Sequence, residues 1–171
     1  MTSEPQTIWQ QIEYSSLGQY LAADPLAFPM IESLHVIALV TVFGSILIMD
    51  LRMLGFASNA GAISRISRET VRLTWVAFIL AAVTGTLLFV SKASNYMDNP
   101  YFLTKMCLIA IAGLNMGWFH LITQRGQDQW DTAADIPTSV KVAGALSLTL
   151  WLLVIFFGRA IGFTLSFYMP M

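Results

Sequence analysis

Residues 28–55 read FPMIESLHVIALVTVFGSILIMDLRMLG, and this stretch decides the fold class. It carries no charge between His35 and Asp50. A hydrocarbon core is crossed by about 20 apolar residues in a helix, which this segment supplies. Yet Glu32 and His35 stand near its start, and Asp50 and Arg52 near its end. Ionisable groups in a span cost a few kcal/mol each, so they face a bundle interior and find partners there.

The rest of the chain has the same character. Of its 171 residues 56% are hydrophobic and only 11% charged, against about 25% charged in soluble domains. The mean hydropathy is +0.66. These values predict one integral membrane domain over residues 1–171, all-α. A net charge of -1, with no basic stretch interleaved with aromatics, excludes nucleic acid as a partner. The single cysteine, Cys107, lies in an apolar run and reads as a small core residue. MTSEPQTIWQQIEYSS lacks the basic and apolar regions of a signal peptide, so insertion is expected to rely on the first span.

Four spans are expected near 30–52, 71–93, 101–123 and 140–164, forming a four-helix bundle in the lipid bilayer. Pro29 suits a first helical turn, and Pro100 and Pro137 precede spans three and four. Residues 6–22 place Ile8, Trp9, Ile12, Leu17, Tyr20 and Leu21 at helical spacing, predicting an amphipathic helix lying at the interface. Small residues recur as Ala77–Ala81–Gly85, Gly113–Gly117 and Gly158–Gly162. Such stripes let helix backbones approach closely in lipid, within the bundle or in a homo-oligomer. Arg52, Arg65, Arg68, Arg72, Arg125 and Lys141 gather beside the loops after spans one and three. The positive-inside rule then puts both chain ends on the periplasmic side of a bacterial inner membrane.

That topology sorts the intramembrane polar residues into two layers. Glu32, His35, Lys105 and Arg159 fall in the outer half, and Asp50, Arg72, Asn115 and His120 in the inner half. Asp50 and Arg52 are expected at the cytoplasmic exit of span one, where charge is cheap. An imidazole in a dry bundle is a good axial ligand for haem iron, and cations at its level hold propionates by charge-assisted hydrogen bonds. Gly44 and other small residues would leave room for a flat macrocycle. The competing expectation is an ion-pair network of Glu32, Lys105 and Arg159 with His35 merely bonded to it. The two histidines differ in depth by roughly 19 Å at 1.5 Å per residue, too far to share one iron. His120 is better placed to pair with Asp50 or to lie at headgroup level.

ESLHVIALVTVFGSILIMDLRMLG, NPYFLTKMCLIAIAGLNMGWFH and LWLLVIFFGRAIGF together resemble a family of small, uncharacterised bacterial membrane proteins with four spans. The first two segments are more distantly similar to HemJ-type protoporphyrinogen oxidases and to the membrane domain of CopD-type copper-resistance proteins. The HemJ resemblance implies haem b, with a required span-one histidine and span-three lysine at His35 and Lys105. This chain lacks a histidine after the span-one exit and carries Asn115 and Met116 in span three, which favours an electron-carrying haem over porphyrinogen oxidation. The CopD resemblance implies copper, but the methionines form no ligand pattern.

The leading expectation is therefore a cytochrome-like electron carrier with a redox partner or quinone near the outer face. His35 would bind iron, Lys105 and Arg159 would hold propionates or quinone, and Glu32 would orient the imidazole. A cofactor-free accessory subunit of a larger membrane complex is the alternative. A HemJ-like enzyme, and a proton pathway through Glu32, Asp50 and His120, rank below it.

Overall fold

The computed structural model describes residues 7–56, 63–118 and 136–165, without the side chains of 63–70. Among the described residues the helices are, in order, α1 (Ile8–Glu13), α2 (Ser16–Ala23), α3 (Ala27–Met53), α4 (Ile63–Ser91), α5 (Ala93–Asp98), α6 (Pro100–Trp118) and α7 (Thr138–Thr164). Four are long and apolar enough to cross a membrane: α3, the Val71–Ser91 part of α4, α6 and α7. The protein is a multi-pass, all-α membrane protein built on a four-helix bundle. Its burial is inverted accordingly. Ile37, Val40, Val76, Leu114 and Phe156 face outward, as lipid-facing side chains do.

Start and stop signals follow local chemistry. Pro29 sits in the first turn of α3, where its missing N–H costs nothing. The Asp24 carboxylate accepts from the Leu26 and Ala27 amides at 2.8 and 3.1 Å, anchoring that turn. These two amides hold the Asp24 carboxyl below its ordinary 3.8. Pro100 opens α6, and Asn99 caps it by accepting from the Tyr101 amide at 2.9 Å. The other end of the Asn99 amide donates to Thr164 at 3.0 Å, tying the start of α6 to the end of α7.

The N-terminal segment is two helices rather than the single helix expected over 6–22. Thr7 and Gln10 form a capping box on α1, and Ser15 caps α2 by accepting from Gly18 N–H at 3.2 Å. Gly18 is obligatory at this bend, because a Cβ would collide with the Glu13 carbonyl oxygen. The pair folds onto the bundle, α1 against α5 and α2 against α4. Glu13 reaches across to accept from the Ser94 amide at 3.0 Å, at the start of α5. Trp9, Phe89, Tyr96 and Phe102 then form one aromatic cluster, with Phe89 stacked on Phe102 at 5.7 Å. This is the capped end of the bundle.

Backbone packing runs α4–α3–α7–α6. Gly144 lets α7 close on α3, since a Cβ there would lie 3.0 Å from Met53 Cβ and 3.3 Å from the Asp50 carbonyl. By contrast α4 and α6 scarcely touch along their backbones. Below the aromatic cluster the α4 and α6 backbones stay apart, and a cavity is lined by side chains of both. A Cβ at Gly113 or Gly117 would meet nothing, so this expected small-residue stripe plays no part in bundle packing.

Candidate functional site

His35 lies roughly 12 Å along α3 from Ala27, at 1.5 Å per residue, and faces α4. Gly85 gives it room: a Cβ at that position would come within 3.0 Å of the imidazole Cε1. His35 Nδ1 is 2.9 Å from Thr84 Oγ1. The Thr84 hydroxyl has one proton, and it is directed at the Leu80 and Ala81 carbonyls at 2.7 and 3.2 Å. With its proton so placed Thr84 accepts, and the matching neutral tautomer carries its proton on Nδ1. The lone pair is then on Nε2, the nitrogen that ligates a metal when its partner is held by a hydrogen bond.

Lys105 of α6 reaches the same level from the other side. Its stem and ammonium lie 3.8 Å from where a Cβ at Gly158 of α7 would stand. It is half-buried, and its charge acts on His35. Among the described residues it forms no ion pair. The site thus brings together an imidazole held at Nδ1 and an ammonium without a counterion among the described residues, each seated against a glycine of a neighbouring helix.

Two expected members stand apart. Glu32 is exposed and does not touch the imidazole; Thr84 holds Nδ1 in its place. The Glu32 carboxylate acts instead on Tyr96 of α5, whose phenol is pushed up to about 12, first by burial and then by that charge. Arg159 follows Gly158 in α7 but is exposed, with its guanidinium 5.0 Å over the Phe163 ring of its own helix. Glu32, Lys105 and Arg159 form no ion-pair network among the described residues. Sequence reasoning missed Thr84 and saw Gly85 only as part of a packing stripe.

The inner-layer residues divide similarly. Asp50 and Arg52 are 4% and 5% exposed, buried rather than placed at a solvated exit. Asp50 stands beside Ser147 of α7, while its Oδ2 has no partner among the described residues. It does not pair with Arg72, which is exposed on α4. The Asn115 amide donates to the Ala143 carbonyl at 3.2 Å, linking α6 to α7. His120 lies outside the described residues. Between these helices is a cavity of about 170 Å³, bounded by Asp50 and Ser147, by Trp75 and Phe78 of α4, and by Gly113 and Asn115 of α6.

The described residues hold no cluster of three or more His, Cys, Asp or Glu side chains able to cage a metal ion. What this arrangement offers a metal is one oriented imidazole, the donor set of a macrocycle-bound iron rather than of a protein-built metal centre. No curated protein and no solved structure matches the chain. One family matches residues 16–164, from the start of α2 to the end of α7 and through His35, Lys105 and Asp50, and the chain belongs to it: DUF6644, a family of unknown function.

Proposed function

We propose that the protein binds haem b near the capped end of the bundle and carries electrons across that membrane face. The observation that carries this reading is the Thr84–His35 hydrogen bond at 2.9 Å, which fixes the ring and directs the Nε2 lone pair away from the bond. The fit of the other groups supports it. Lys105 supplies a positive charge at the level of the imidazole, suited to a propionate. The open seam between α4 and α6 leaves access for a flat, apolar ligand from the lipid. Bound haem would supply one-electron redox chemistry. The chain's own residues orient the ligand, neutralise one carboxylate and keep water out with the aromatic cluster above.

The distant HemJ-type likeness rests on the same two positions, His35 and Lys105, and belongs to this proposal; the CopD-type likeness adds no ligand set. The basic residues at the opposite end support an orientation with the capped end outside a bacterial inner membrane. A redox partner or quinone would then dock at the capped end.

Reconstitution tests the reading. Haemin titrated into apoprotein in mild detergent should bind one to one with a sharp Soret band. His35→Ala should lose that band, and Thr84→Val should weaken binding by about tenfold, since outer partners of metal-bound histidines are worth 10–100-fold. Full haem retention in His35→Ala would exclude the ligand assignment. The accessory-subunit reading is favoured by α6, in which only Ala112 is buried; it requires large partner subunits to copurify with a haem-free protein.

A further inference from the structure

The Asp50 cavity has no role in the haem reading, and its chemistry is different. We propose that it is a binding site for a lipophilic organic ammonium that enters from the membrane between α4 and α6. Asp50 is 4% exposed, lines the cavity, and among the described residues leaves Oδ2 without a hydrogen-bond donor. A buried carboxylate in that condition is completed by a group that brings both an N–H and a positive charge.

The walls select the same class of ligand. Trp75, Phe78 and Trp151 line the cavity, and aromatic faces attract organic cations, most strongly where water is excluded. Ser147 stands beside the carboxyl in the same wall. The remaining lining is largely apolar and accepts methylenes. About 170 Å³ admits an ammonium head with a few carbons. A longer tail would leave through the seam that α4 and α6 do not close. A neutral alcohol supplies only the donor, and an anion is repelled by Asp50.

The test is calorimetric titration of octylammonium chloride into protein in nanodiscs of zwitterionic lipid. Empty nanodiscs give the partition background, and octanol is the neutral control. Saturable binding beyond the background is expected for octylammonium and not for octanol. Asp50→Asn should weaken it at least tenfold. Gly113→Leu offers a second route that keeps the carboxyl. A Cβ there meets nothing within 4 Å and Gly113 lines the cavity, so a leucine that takes up its space should also weaken binding. Heats equal to those of empty discs, equal binding of octanol, or wild-type affinity in the correctly folded Asp50→Asn or Gly113→Leu protein would each overturn the proposal.

Discussion

The two ends of this bundle solve the problem of polar groups in lipid in opposite ways. At the capped end polar side chains tie one element to another: Glu13 to Ser94, Asn99 to Thr164, His35 to Thr84. Four aromatic rings close over them. At the other end α3 and α7 close tightly at Gly144, but α4 and α6 part around a cavity that holds an incompletely bonded Asp50. The first arrangement fixes one ring nitrogen and leaves the other available. The second leaves a buried carboxyl, incompletely bonded among the described residues, in the wall of a cavity. Satisfaction is incomplete at both ends, since Ser94 Oγ is also buried without a partner among the described residues, but only Asp50 stands beside the cavity.

Glycine substitutions should break this contrast most strongly. Gly144→Leu drives a side chain into Met53 and the Asp50 backbone and should cost about 1–3 kcal/mol, seen as a lowered Tm in detergent. Gly113→Leu, whose Cβ meets open space beside the cavity, should change stability by no more than about 0.5 kcal/mol, since it displaces no packed neighbour. Equal losses for the two would mean that the seam is closed.

Smaller changes sharpen the capped end. Thr84→Val keeps the shape and removes the acceptor for His35 Nδ1; it should cost about 1 kcal/mol, the scale of interhelical hydrogen bonds in membranes. The imidazole nitrogen shifts in NMR should move with it, and unchanged shifts would count against the tautomer assigned here. Glu13→Ala removes the bond to the Ser94 amide and should cost under about 1 kcal/mol, with faster hydrogen exchange confined to α1 and α5.

The smallest effect separates two caps. Asp24 is ionisable and Asn99 is not, yet both accept backbone amides at a helix start. Because the Asp24 carboxyl lies below 3.8 in the folded protein, its contribution is present above that pH and is lost as pH falls through its lower folded value. The Leu26 amide shift should therefore titrate with a midpoint below 3.8, while the Tyr101 amide shift stays flat. A Leu26 midpoint at or above 3.8 would contradict the cap.

Much of this architecture could be read from hydropathy. Spans expected near 30–52 and 140–164 correspond to helices over Ala27–Met53 and Thr138–Thr164. α4 begins earlier, at Ile63, because ISRISRET continues a helix in polar sequence that hydropathy does not register. His35 and Lys105 were legible from depth along their helices. Thr84 was not. Thr41, Thr86, Thr104 and Thr149 bond their own helices at the i−4 carbonyl as Thr84 does, so nothing local distinguishes the one that also receives an imidazole. Burial of Asp50 was equally hidden. Proximity to a helix end suggests a solvated charge, but the absent side chain of Gly144 lets α7 cover it.

The most direct measurement is the visible spectrum of protein purified in mild detergent from cells well supplied with haem, oxidised and then reduced with dithionite. Haem held by His35 predicts a sharp Soret band with reduced α and β bands, all absent from a folded His35→Ala variant. A featureless spectrum from folded wild-type protein, or an unaltered one from His35→Ala, would contradict it.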